Sequence, residues 1–158
     1  MIAVMVIIAT VGSIAAALIG QSALAYQRSI SQERGANSAA LALDRIVAEV
    51  RDMPEDPGGG PAIRRADAGS IQLDDGTVIE VVGTSVMLTK PGDQPAPLCQ
   101  NVSAFELSYM DAAGAPLRPG DPGTPGATRR VVVRIVSNGV EARALVVPRA
   151  GLDWRAGG

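Results

Sequence analysis

The sequence predicts an α+β chain, with a long N-terminal α-helix, apolar and then amphipathic, packed on a small antiparallel β-sheet. Three observations predict it. The first 27 of the 158 residues carry no charge, and Arg28 is the first charged side chain. Residues 28–53 keep a helical spacing of apolar positions until Pro54. From Ser70 onward, short β-rich runs alternate with turn signals.

The uncharged run, 1–26, reads as a transmembrane and assembly helix. At ~1.5 Å per residue, the run of 27 uncharged residues reaches roughly 40 Å as a helix, against a hydrocarbon core of ~30 Å. Ile2, Val4, Val6, Ile7, Ile8, Val11, Ile14, Leu18 and Ile19 contribute together about −3 to −5 kcal/mol to insertion, enough to outweigh Thr10 and Ser13. A cleavable secretory signal is the rival reading, because Ala23-Leu24-Ala25 has the small-x-small form of a cleavage site. Against it stand the absence of a basic n-region and an apolar core longer than such signals carry. A buried core helix is the weakest reading, since the rest of the chain is too small to wrap it on every side. Gly12, Ala16 and Gly20 recur every four residues, and Ala9, Ser13 and Ala17 form a second row beside them. In lipid, small residues let two helix backbones approach closely, so these six positions are the candidate helix-packing face.

Residues 27–53 continue the helix in amphipathic form. Ala36, Ala39, Leu43, Ile46, Val50 and Met53 follow spacings of three and four, while Arg28, Glu33, Arg34, Asp44, Arg45, Glu49, Arg51 and Asp52 fall elsewhere. Leu43, Ile46, Val50 and Met53 are expected to lie on the sheet. Pro54 stops the helix and Glu55-Asp56-Pro57-Gly58-Gly59-Gly60-Pro61 cannot resume it, so 54–69 reads as a Pro/Gly linker. The triple glycine has no lysine, serine or threonine in phosphate-loop register.

The module 70–149 is expected to be antiparallel sheet. Ile71–Leu73, Val78–Val82 and Val86–Thr89, separated by Asp75-Gly76 and Gly83-Thr84, form a meander. Phe105, Leu107 and Tyr109 alternate with polar residues, as in a strand with one buried face. Arg130–Val136 and Val140–Val147 flank Ser137-Asn138-Gly139, and Asn138-Gly139 is the strongest hairpin signal in the chain, predicting a type I′ turn. In that register Ser137 pairs with Val140 and Arg134 faces Arg143, so Glu106 or Glu141 is expected between the two guanidiniums. Residues 116–128, with Pro119, Pro122 and Pro125, read as an exposed loop; 150–158 is a tail that Trp154 is able to pin.

Composition removes most catalytic designs. There are 14 basic and 16 acidic residues, no histidine and one cysteine, so triads, Cys-His dyads, the usual zinc sites and internal disulfides all lack parts. With 3% aromatic residues and a formal charge of −2, nucleic acid is not an expected partner. No enzyme activity, cofactor, metal or small-molecule substrate is expected. Cys99 reads as a buried small hydrophobe, Asp74-Asp75 as part of a turn, and Lys90 as a solvated strand-end residue.

The order of these parts resembles that of type IV pilins and pseudopilins. Met1-Ile2-Ala3-Val4-Met5-Val6-Ile7-Ile8-Ala9-Thr10-Val11-Gly12 looks like a prepilin helix just after its processing motif. Asn101-Val102-Ser103-Ala104-Phe105-Glu106-Leu107-Ser108-Tyr109-Met110-Asp111-Ala112-Ala113-Gly114 is similar to a segment of J-type minor pseudopilins and W-type minor pilins. The resemblance implies a pilin-like fold and a minor subunit of a type II secretion or type IV pilus-like filament. Such a subunit sits in the bacterial inner membrane with a single pass and a periplasmic C-terminal domain, and it meets lipid and other pilin or pseudopilin subunits through its N-terminal helix. The family's basic leader, glycine before the cut, aromatic first residue and fifth-position glutamate have no counterpart in 1–158, so Met1 is expected to be an internal methionine of a longer frame or the chain to be trimmed. The alternative is a membrane-tethered periplasmic binding module outside any filament, recruiting a ligand through the Pro/Gly loop or a sheet edge.

Overall fold

The computed structural model describes residues 2–54, 56 and 60–149, with side chains from Gly20 onward. The chain divides into two compact units, Met1–Arg34 and Gly35–Gly158. One helix, α1 (Ile2–Arg51), supplies the described part of the first unit and the opening of the second. In the first unit, residues 20–29 and 31–34 are exposed, Leu24 at 55% and Tyr26 at 69%.

In the second unit α1 is amphipathic as its spacing requires. Gly35, Ala39, Ala42, Leu43, Ile46 and Val50 are buried, whereas Asp44, Arg45 and Arg51 are exposed. After Arg51 the chain leaves helical geometry, and Met53 still reaches the core at 4% exposure.

Among the described residues, nine strands follow in two antiparallel sheets. β1 (Ile63–Ala66), β2 (Ser70–Leu73), β3 (Val78–Val82), β4 (Ser85–Thr89) and β5 (Ala96–Cys99) lie side by side in chain order. The second sheet contains β6 (Val102–Met110), β7 (Pro116–Leu117), β8 (Arg130–Ser137) and β9 (Val140–Val146), in spatial order β7-β6-β8-β9. A single helical turn, α2 (Thr124–Ala127), lies between β7 and β8. The α+β class is therefore as expected, but two sheets stand where one small sheet was anticipated. The reason is that β5 ends the first sheet at Cys99, and the left-handed Asn101 (φ 55°) turns the chain into β6.

One apolar core serves the helix and both sheets. It includes Ile46 and Val50 from α1, Ile71, Ile79 and Val86 from the first sheet, and Leu107, Tyr109, Val133 and Ile135 from the second. Along β8, Val131, Val133 and Ile135 are 0% exposed and point inward, as alternation requires. Tyr109 is buried with its hydroxyl donating to the carbonyls of Asp67 (2.8 Å) and Ser70 (3.3 Å). Burial, and then the nearby Asp67 carboxylate, push the Tyr109 phenol well above its ordinary 10.0.

The 54–69 stretch is not the Pro/Gly linker its composition suggests: it contains β1, and Gly60, Pro61, Ala62, Ile63 and Ala66 are buried. A register shift between Ile63 and Arg65 gives the strand a buried-exposed-exposed-buried order in place of strict alternation, which hides it from pattern reading. Residues 55 and 57–59 of that stretch lie outside the described residues, as do residues 150–158 with Trp154. The 116–128 stretch is mostly exposed, as expected, but it contains β7 and α2. Thr124 Oγ1 donates to the Arg118 carbonyl (2.6 Å), Thr128 Oγ1 donates to the Thr124 carbonyl (2.7 Å), and both threonines are buried.

Candidate functional site

Three residue sets were singled out from the sequence, and the structure treats them differently. Of the helix-packing set, the side chains of Ala9, Gly12, Ser13, Ala16 and Ala17 lie outside the described ones; Gly20 is exposed, and a Cβ built on it meets nothing within 4 Å. Among the described residues no helix is long and apolar enough to cross a membrane. Most of the uncharged run falls in residues 1–19, beyond the described side chains.

The helix–sheet set comes together as read. Leu43 is 9% exposed, Ile46 and Val50 are 0% and Met53 is 4%, all within the one core. Gly35, which the sequence reading passed over, belongs with them. A Cβ there would stand 2.8 Å from Asn138 Cβ and 3.0 Å from the Ser137 carbonyl oxygen, so the helix touches the β8–β9 turn through a residue without a side chain. The available signal was an isolated glycine inside a helical pattern.

The hairpin set also stands as read. Asn138 (φ 50°) and Gly139 (φ 80°) both take the left-handed conformation that a type I′ turn demands. Ser137 pairs with Val140 and Arg134 with Arg143. Both acids lie beside Arg134, Glu141 on the Arg143 side and Glu106 on the far side, across β6, so only Glu141 stands where an acid between the two guanidiniums was expected. Arg134 Nη2 donates to Glu141 Oε2 at 3.0 Å, and Arg134 Nη1 lies 3.5 Å from Glu106 Oε2. The bond from Arg134, with the charges of Arg134 and Arg143 behind it, holds the Glu141 carboxyl below its ordinary 4.5, while the same bond raises the Arg134 guanidinium.

Elsewhere the polar residues have structural duties. Cys99 is buried, and Ser38 Oγ donates to its sulfur at 3.4 Å. Asp75 accepts from the Thr77 amide (2.8 Å) and hydroxyl (3.0 Å), fixing the turn at Gly76 (φ 90°). Lys90, expected to be solvated, keeps its side chain 41% exposed and also lies 2.9 Å from Glu49 Oε1, which Arg45 reaches at 2.7 Å. Two cations on one carboxylate clip the end of β4 to α1. Among the described residues no three histidine, cysteine, aspartate or glutamate side chains stand close enough to hold a metal ion.

The sequence matches no family model, and no curated protein is similar to it. Its functional reading therefore rests on its own residues.

Proposed function

We propose that the chain is a minor pilin-like or pseudopilin subunit, a non-catalytic structural component of a type II secretion or type IV pilus-like filament. Its N-terminal helix is held in the inner membrane before assembly and packs with neighbouring subunits' helices afterwards. The observation that carries this reading is one uninterrupted helix, Ile2–Arg51, that begins uncharged and ends as the apolar spine of an antiparallel α+β domain. An apolar rod of that kind accepts two surroundings, lipid or a bundle of like helices, and exchanges one for the other at small net cost. Further support comes from Gly20, which lies open at the surface of α1 on the row that Gly12 and Ala16 begin.

The test is cross-linking in the native cell envelope. A photo-crosslinking residue is placed at Ala16 or Gly20 of the full chain, and membranes are extracted with alkaline carbonate. The expected result is carbonate-resistant chain with adducts to other small helical membrane proteins. A chain that carbonate releases would end the membrane reading. A chain that stays in the membrane without adducts would favour the tethered binding module.

A further inference from the structure

The second sheet has an outer face that the core does not use. Met110, Arg130, Val132, Arg143, Ala144 and Leu145 line a groove of about 400 Å³ there, beside the last strand. Its floor is apolar, and Leu145 stands 57% exposed at its side. Two guanidiniums, Arg130 and Arg143, rim it, and among the described residues neither has a carboxylate within 4.0 Å; the acids of this face, Glu106 and Glu141, are both engaged by Arg134. A cationic rim therefore surrounds an apolar floor on a chain whose formal charge is −2.

The groove adjoins an open edge. β9 ends the sheet order β7-β6-β8-β9. With Ser137 and Val140 closing a two-residue turn, hydrogen-bonded pairs alternate along the hairpin, so the even-numbered residues of β9 bond to β8. The amides and carbonyls of Glu141, Arg143 and Leu145 then face outward, and none has another backbone partner among the described residues.

This edge differs from the other three. β1 carries a register shift, β5 carries Pro97 and a register shift, and β7 is two residues long and starts at Pro116. Each is a device that discourages strand addition. β9 has seven residues, no proline, no lysine and an unbroken register with β8.

We propose that β9 is a docking edge for an extended acidic segment of another polypeptide, which adds to the sheet as a further strand. Its backbone bonds to Glu141, Arg143 and Leu145. On the outer face an acidic side chain lies beside Arg143, and an apolar side chain two residues away packs on Leu145 at the mouth of the groove. Main-chain bonds supply the adhesion, and the acid with its apolar neighbour supplies the selectivity. The inference holds whether the chain is a filament subunit or a tethered module.

The experiment titrates the full chain into the peptide fluorescein-Thr-Val-Glu-Val-Leu-Val-Thr-amide and reads anisotropy. Saturable binding with Kd below about 1 mM is expected. Replacing the peptide glutamate by glutamine weakens it roughly tenfold, and N-methylating alternate amides abolishes it. Arg143→Glu, folded by circular dichroism, weakens the glutamate peptide by a similar factor and gains affinity for the lysine counterpart. A second variant, Leu145→Lys, also weakens binding. Absence of binding up to 1 mM, equal binding of the glutamine peptide, or indifference to Arg143→Glu would each overturn the proposal. So would binding that occurs only after residues 150–158 are removed, since the chain's own tail would then be the occupant.

Discussion

Two stretches of the same helix have opposite surroundings. Between Gly20 and Arg34, α1 exposes Leu24 and Tyr26 along with its charges, and among the described residues nothing covers them. Between Gly35 and Arg51 the same helix hides Ala39, Ala42, Ile46 and Val50 almost completely. Helical geometry is continuous through both, so helix formation alone does not decide burial. A covering surface does, since the apolar face of the second stretch meets a core built with two sheets, whereas Leu41, off that face, stays 70% exposed. An apolar residue that this domain leaves exposed is then a residue available to something else.

The sharpest way to break the comparison is truncation at its most buried point. Ile46→Ala is expected to cost about 2–5 kcal/mol in urea unfolding, whereas Leu24→Ala stays within about 0.5 kcal/mol of the parent. Equal effects would mean that the exposed stretch is covered in the isolated protein. Next in size is Gly35→Ala. Alanine favours a helix by about 1 kcal/mol over glycine, but its methyl would meet Asn138 and the Ser137 carbonyl, so a net loss of about 1–3 kcal/mol is expected in the same assay. A gain in stability would show that the helix and the hairpin turn are not in contact.

Tyr109→Phe sharpens the comparison inside the core. Loss of the hydroxyl takes the 2.8 Å donor from the Asp67 carbonyl, while the Ser70 carbonyl keeps the Asp67 amide at 2.9 Å, and is expected to cost about 0.5–1.5 kcal/mol at neutral pH. The folded phenol is raised above its unfolded value of 10.0, so the stability it contributes is complete below that pH and is lost as pH rises beyond it. The parent should therefore lose stability above pH 10.0 more steeply than Tyr109→Phe, by denaturant melts at several alkaline pH values.

The smallest effect belongs to the outer face. Glu141 is held below its ordinary 4.5 by Arg134, so its contribution is present above that pH and fades as pH falls through the lowered value. Glu141→Gln is expected to flatten the acid limb of the stability profile slightly and leave the neutral value nearly unchanged, because the pair is exposed and screened.

Interior strands and edge strands differ in how readily they can be read. Every interior strand was visible from alternation and turn residues: β2, β3, β4, β6 and β8 lie within a residue or a few of the expected runs. Three of the edges, β1, β5 and β7, were not. An interior strand has neighbours on both sides and needs β-branched residues in regular alternation. An edge strand satisfies one neighbour only and tolerates Pro97, Pro116 and the irregular register at Ile63. The fourth edge, β9, was visible because Asn138-Gly139 fixed its turn and hence its register. The Arg134 cluster followed from that register by counting. The groove at Leu145 did not, because it needs Met110 from β6 beside Arg143 from β9.

The residues alone determined the long helix, its buried stripe, the hairpin turn and the pairing of Arg134 with Arg143, because each depends on spacing along one or two adjacent elements. Tertiary structure alone decided that the strands divide into two sheets around one core, that Gly35 meets the turn at Asn138, that Lys90 joins Arg45 on Glu49, and that among the described residues the β9 edge has no further backbone partner beside a cationic groove. Those facts depend on distances between segments far apart in the chain, and local periodicity carries no information about such distances.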